Sequence, residues 1–376
     1  MHVLVIGAGF TGLAIAQGLR KHGITCTGFE RSSSNEAIRD WSMRLDCERE
    51  KQLLETLPKD ISDRWKNECE INFGDDLCQQ SFPDRDTKTS GVRFQELSLS
   101  RKRVSRARIL KVLETGIDIR HDKKLIDIIT SKRGVRVLFE DGSGASGDVL
   151  VGADGADSFV RSWLFDHAES AKAKPLPVIA YHFSALFPAE LALMLREQCG
   201  RNQHYALHPD RSSCMSITIL DAPENVPPER WIFQMILTHW GDTEKMPETS
   251  AERLQHFKDL GQTFVEPFST ASQAILVETD IPRDRWKRWE EPTPWDSRRG
   301  RVTLAGEAAH PFPPHQEKAL NHAVEDVVRC VAAISTGNLG SKAFKKTSYE
   351  REVCQRGSHE VAMSIWHRYD AAHFDQ

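Results

Sequence analysis

Near its start the chain carries a short unbroken apolar run, Val3-Leu4-Val5-Ile6, that ends at Gly7. A run of this length without polar alternation predicts a strand buried on both faces, as in a parallel sheet. Leu13, Ala14, Ala16 and Leu19 then recur at helical spacing over residues 10–22, and Ile24 to Phe29 read as a second strand. Strand, helix and strand make a β-α-β unit, which implies a right-handed crossover and parallel strands. Residues 31–90 are polar, with helices predicted around 48–57 and 60–69, and a further helix is predicted over 104–116. Alternation returns in Leu125–Ile129 and Val135–Phe139, and Asp141-Gly142 with Gly144 marks a turn before the buried strand Val149–Val151. The stretch from about 166 to 290 differs. It has frequent prolines, strand-like runs at Ser216–Leu220 and Trp231–Leu237, and one helical run near 251–260. It reads as a mixed second unit, an antiparallel sheet with helices. Val302–Ala305 returns as a buried strand, followed by a long helix over 319–335 and a polar helix across 341–370. No internal repeat is visible.

Composition narrows the class. The 376 residues suggest two structural units, and 39% apolar with 28% charged residues is ordinary for a soluble globular chain. A net charge of −4 does not suggest a nucleic-acid binder, and no apolar run is long enough to span a membrane or serve as a signal peptide. The eight cysteines form no CxxC pair and no zinc-spaced cluster with histidine. They predict buried thiols in a reducing, cytoplasmic setting, with no structural disulfide and no metal.

The candidate chemistry begins at Gly7-Ala8-Gly9-Phe10-Thr11-Gly12, a G-x-G-x-x-G between a strand and a helix. Gly7 permits the tight turn, Gly9 lets a pyrophosphate approach the backbone, and Gly12 allows close helix–strand packing. The helix N-terminus adds free N–H donors and the positive dipole end. Glu30 closes the second strand eighteen residues after the third glycine. A carboxylate there accepts from ribose hydroxyls and repels a 2′-phosphate, which favours FAD or NAD over NADP at this site.

Two more motifs follow buried strands: Gly152-Ala153-Asp154-Gly155-Ala156-Asp157-Ser158-Phe159-Val160-Arg161, and Gly306-Glu307-Ala308-Ala309-His310-Pro311. In this order the three motifs resemble those of the class A flavoprotein monooxygenases, the para-hydroxybenzoate hydroxylase-like family, over residues 2 to about 330. The segments Arg39-Asp40-Trp41-Ser42 and Arg103-Val104-Ser105-Arg106 look most like the branch found in fungal secondary metabolism. The resemblance implies an α/β, Rossmann-like FAD-binding domain (1–165 and 296–376) with an inserted mixed α+β substrate domain (166–295). It implies NADPH as a transient co-substrate that reduces FAD, and oxygen transfer to a small molecule. Asp154 and Gly155 match the motif shared between FAD and NADPH contacts. Gly306, Glu307 and Asn321 match the motif that holds the ribityl chain. Arg106 matches the FAD-contacting arginine, with Arg39 a weaker candidate of that kind. Phe183, His204, Tyr205 and Met215 fall where the family builds its substrate pocket.

The third motif departs from the family pattern. The usual aspartate is Glu307, and the glycines found before the asparagine are replaced by Gln316, Glu317 and Ala319, while Asn321 and Asp326 are retained. Glu307 is one methylene longer, so its hydrogen bond to the ribityl chain must be re-aimed. Side chains at 316, 317 and 319 crowd a loop that lies beside the flavin ring in the family. Two functions therefore stand: an FAD- and NAD(P)H-dependent monooxygenase that hydroxylates or epoxidises an aromatic or polyene natural product, or a non-redox cyclase or isomerase on the same fold. A binding module without chemistry is a third. His315 and His322 flank the altered loop and are the acid–base candidates, since imidazole titrates near neutrality. His310 falls where the family places a structural histidine. Trp286, Trp289 and Trp295, interleaved with basic residues, read as packing in the link between the two units rather than as a single-strand nucleic-acid stripe.

Overall fold

The structure is a computed structural model that describes residues 1–71, 101–199, 203–208, 210, 212–223, 225–290, 292–311, 318–339 and 349–359. The first unit opens with β1 (His2–Ile6), α1 (Phe10–Lys21) and β2 (Thr25–Phe29), the β-α-β unit expected from the apolar runs. It continues through β3 (Ser42–Asp46), α2 (Cys47–Thr56), α3 (Lys59–Cys69), β4 (Arg101–Ser105), α4 (Arg106–Leu113), β5 (Ile119–Arg120), β6 (Leu125–Thr130), β7 (Val135–Phe139), β8 (Gly144–Gly147), β9 (Val149–Gly152) and α5 (Phe159–Leu164). The second unit carries β10 (Lys174–Pro175), β11 (Val178–Ala185), α6 (Ala189–Cys199), β12 (Gln203–Leu207), β13 (Ser213–Asp221), β14 (Ile232–Trp240), α7 (Ser250–Gly261), α8 (Phe268–Gln273) and β15 (Lys287–Arg288). The chain then returns to the first unit with β16 (Val302–Leu304), α9 (Ala319–Ser335) and a helix over 349–359, here α10.

The central sheet is parallel, in the order β16-β9-β1-β2-β5. Strands 1, 9 and 16 are almost wholly apolar because helices cover both faces. Their carboxyl ends lie side by side, and each is followed by one of the three glycine motifs. That shared edge is where ligands bind in open α/β sheets.

The helix expected over 104–116 is shorter. Arg101–Ser105 form a strand paired antiparallel with Ser42–Asp46, and the helix starts at Arg106. Asp40 fixes this start, accepting from Ser105 Oγ and from the Ala107 N–H at 2.9 Å, while Ser105 Oγ accepts from the Arg108 N–H at 3.2 Å. Residues 349–359 are helical as expected, and the rest of the 341–370 expectation lies outside the described residues.

The second unit has its own apolar cluster, separate from that of the first. Its sheet runs β11-β14-β13-β12, all antiparallel. Alternation sends Tyr181, Phe183, Met215, Met235 and Leu237 into that cluster with Phe257 and Phe268, and the Phe183 and Phe257 rings are 4.9 Å apart. Phe183 and Met215 therefore pack in this core. His204 and Tyr205 lie in β12, and their side chains are outside the described residues. The opposite face is polar, with Ser216, Thr218, Gln234 and Thr238 all buried, and it meets the first unit. Trp289 and Trp295 are buried, and the Trp289 indole N–H donates to the Ser170 C=O at 2.7 Å.

Gln234 locks the two units together. Its Oε1 accepts from the Ser42 N–H at 2.7 Å and from Ser42 Oγ at 2.9 Å, and Arg103 donates to Ser42 Oγ at 3.0 Å. Gln234→Leu keeps the volume and removes the acceptor, stranding a buried N–H and hydroxyl. A loss of about 1–3 kcal/mol is expected, seen as a lower urea unfolding midpoint. An unchanged midpoint would show that the contact adds nothing.

Candidate cofactor-binding site

Three turns build the site. In the first, Gly7 takes φ +101°, and a Cβ there would stand 2.3 Å from the Ala153 C=O, so the position admits only glycine. A Cβ on Gly12 would stand 2.0 Å from the Gly7 C=O. Gly9 is the opposite case: a Cβ there meets nothing within 4 Å. Gly9 is also the N-cap of α1 and supplies no side-chain cap to the first amides of this twelve-residue helix. Glu30 stands beside this space. Its Oε2 accepts from the Ala8 N–H at 2.8 Å and its Oε1 from the Ser32 N–H at 3.0 Å, which fixes the carboxylate and leaves lone pairs for further donors.

In the second turn Asp154 is engaged by its own helix. It accepts from Ser158 Oγ at 2.6 Å and from the N–H groups of Phe159 at 2.8 Å and Val160 at 3.2 Å. Gly155 follows at φ +79° with open space around it. Arg161 is 1% exposed, and its hydrogen bonds among the described residues all go to main-chain oxygens: Ala171 at 2.7 Å, Ala156 at 2.5 Å, Ala308 at 2.8 Å and Glu307 at 3.4 Å. Burial pushes its guanidinium down to about 10, against the opposing charges of Asp154 and Asp157. Through Ala308 it fastens the second turn to the third.

The third turn has Gly306 at φ +62°, where a Cβ would stand 2.4 Å from Thr11 Oγ1, so this turn packs directly on the start of α1. Behind it lies Asp326, fully buried in α9. Asp326 Oδ2 accepts from the Gly306 N–H and from His310 Nε2, both at 2.7 Å, and Oδ1 accepts from Arg356 of α10. Glu307 keeps solvent exposure. Its protein surroundings raise its carboxyl above the ordinary value, and the charges of His310 and Arg106 draw it back down. Asn321 turns towards β3, where its Oδ1 accepts from the Asp46 N–H at 2.9 Å. His322 faces α10, with its Nδ1 3.2 Å from Arg356 and its ring 6.4 Å from that of His310. His315, Gln316 and Glu317 lie outside the described residues.

Arg106 completes the enclosure. Its guanidinium lies 4.3 Å from the Trp41 ring centre and donates to the Arg39 C=O at 2.8 Å. Burial lowers its affinity for the proton, and Asp40, Glu307 and Glu30 oppose that, so its charge lies within reach of both the first and the third turn. Arg39 points elsewhere, pairing with Asp284 of the second unit at 2.8 Å. Sequence reasoning missed Arg356 and the stacking role of Trp41. Arg356 lies in a helix whose apolar stripe is weak, and an isolated tryptophan in a polar stretch carries no pattern.

An open groove at an uncapped helix start, a fixed carboxylate at the end of β2 and a nearby guanidinium fit a dinucleotide cofactor such as FAD. Comparison with known proteins agrees. The FAD binding domain family matches residues 99–356. The FAD-dependent monooxygenase cctM of Talaromyces islandicus is 32% identical, covering 96% of this chain and 90% of its own length. The FAD-dependent monooxygenase phnB of Penicillium herquei is 31% identical, covering 97% and 89%. Among solved structures, Klebsiella pneumoniae HpxO complexed with FAD and uric acid shares the fold at a TM-score of 0.73 and 19% identity, covering 100% of this chain and 90% of that one. The 2,6-dihydroxypyridine-3-hydroxylase of Arthrobacter nicotinovorans does so at 0.74 and 18%, covering 100% and 93%. The chain belongs to the FAD-dependent monooxygenases that carry this FAD-binding domain, and FAD is its cofactor.

Asp326 gives the site a pH signature. Burial alone would raise its carboxyl, but His310 and Arg356 outweigh burial and hold it at about 2, against 3.8 unperturbed. The folded carboxyl titrates below the unfolded one. Its contribution, about 2 kcal/mol, is complete above about pH 4 and is lost as pH falls towards 2. The stability difference between wild type and Asp326→Asn, from urea unfolding at a series of pH values, should shrink across that window. A difference independent of pH would contradict the ion cluster.

Proposed function

We propose that this enzyme is a monooxygenase of secondary metabolism that uses NADPH as a transient reductant and acts on an aromatic or polyene natural product. When bound, FAD supplies the redox chemistry, passing electrons from NADPH to O2 so that one oxygen atom enters the substrate and the other leaves as water. The protein supplies position and electrostatics. Gly7, Gly9 and Gly12 open the start of α1 to the pyrophosphate, and Glu30 accepts from the ribose. Arg106 offers charge to the same groove. The turn shaped by Asp154 and Gly155 walls its second side. Gly306, Glu307 and Asn321 serve the ribityl end, Asn321 by holding β3 against α9. The two separate apolar clusters support a FAD-binding domain of 1–165 and 296–376 and a substrate domain of 166–295.

Among the described residues no helix is long and apolar enough to cross a membrane, and we place the enzyme in the cytoplasm. His322 is occupied with Arg356 and receives no acid–base role. The cyclase alternative gains no supporting observation: the relatives are named as monooxygenases.

The observation that carries this reading is the open space above Gly9. Gly9→Val places a side chain there without touching the packed side of the turn. FAD affinity, measured by fluorescence titration, should fall at least about ten-fold, while the unfolding midpoint of the apoprotein stays unchanged. NADPH oxidation should fall with it. Wild-type affinity in this variant would contradict the site. Conversion of a phenolic or polyene substrate without oxygen and NADPH would favour the cyclase instead.

A further inference from the structure

Three consecutive residues, Arg39, Asp40 and Trp41, between them touch both units. Arg39 donates to both carboxylate oxygens of Asp284, at 2.8 and 3.0 Å, and to the His182 C=O at 2.7 Å. Asp40 closes the first turn of α4 through Ser105 and Ala107. The Trp41 C=O accepts from the Arg106 N–H at 3.0 Å, and the Trp41 ring lies 4.3 Å from the Arg106 guanidinium. The His182 ring of β11 is 5.3 Å from the same indole. Trp41 therefore stands between the first residue of α4 and the first long strand of the second sheet.

An arginine side chain without contacts has many rotamers, and binding an anionic ligand would order it. Two contacts have already ordered this one. The indole face attracts the cation and holds the guanidinium plane. The Arg39 C=O takes a hydrogen bond from Nη1, and among the described residues no other hydrogen bond from the guanidinium is seen. The remaining donors are left for a ligand. Ordering completed before binding no longer opposes binding. The Arg39–Asp284 pair fixes this strap to the second unit, so the placement of that unit bears on the arginine.

We propose that Trp41 is a positioning residue that pre-orders Arg106 for FAD, and that the Arg39–Asp284 pair ties this grip to the substrate-side unit. The inference rests on the reading that Arg106 contacts the cofactor, and the experiment separates the two. Apoprotein is titrated with FAD by fluorescence for wild type, Trp41→Phe, Trp41→Leu, Arg106→Met and the Trp41→Leu/Arg106→Met double variant. The thermal midpoint of each apoprotein is recorded.

Arg106→Met should weaken FAD binding about ten- to a hundred-fold. Trp41→Leu should weaken it about five- to ten-fold, with Trp41→Phe in between. The double variant should bind no more weakly than Arg106→Met alone. If Arg106→Met binds as wild type does, the Arg106 reading fails. If Arg106→Met is weakened while Trp41→Leu binds normally, or the two losses multiply in the double variant, the positioning role of Trp41 is overturned. Should Trp41→Leu not fold, Trp41→Phe carries the same comparison. Asp284→Asn should lower FAD affinity in wild type and not in the Trp41 variant. An equal effect in both would overturn the tie to the second unit.

Discussion

The carboxylate of Asp326 has no access to water, yet it holds three donors from two parts of the chain: the Gly306 amide and the His310 ring of the third turn, and the Arg356 guanidinium of α10. Removing such charges from water costs several kcal/mol per ion, so a buried cluster is weak support for stability by itself. What it supplies is placement. Gly306 must sit against Thr11 for the third turn to meet the first, and a fixed acceptor behind the turn helps to hold it there. Arg161 does the same from the other side, fastening the second turn to the third through main-chain oxygens. The groove is thus the space left when three glycine turns, at the ends of three adjacent strands, are drawn together by buried charge.

Much of this was legible in the sequence. The apolar runs at Val3–Ile6, Val149–Val151 and Val302–Ala305 marked strands buried on both faces, and the glycines after each marked the turns. The β3–β4 ribbon was not legible. Its strands, SMRLD and RKRVS, are basic and polar, and they gain their strand character from pairing with each other. The faces of the second sheet were hidden for a different reason. Period-two alternation is plain in β13 and β14, but sequence does not say which face meets helices and which meets another unit. Asp154 shows a further limit. The motif match marked it as a cofactor-contact candidate by position, while in the structure its carboxylate is spent on capping α5.

In the third motif Glu307 lies within electrostatic reach of Arg106, so the longer carboxylate has a counter-charge at hand. Asn321, retained in the motif, bonds to β3 and carries the fold of the ribbon that also presents Ser42 to the second unit. The three-turn site and the second sheet are thereby joined through a few residues.

Hydrogen exchange followed by mass spectrometry, on apoprotein and after FAD addition, tests the convergence of the three turns most directly. The account expects FAD to slow exchange together in peptides covering residues 7–14, 153–160 and 306–311. Protection confined to the first turn, with 306–311 exchanging as before, would contradict it.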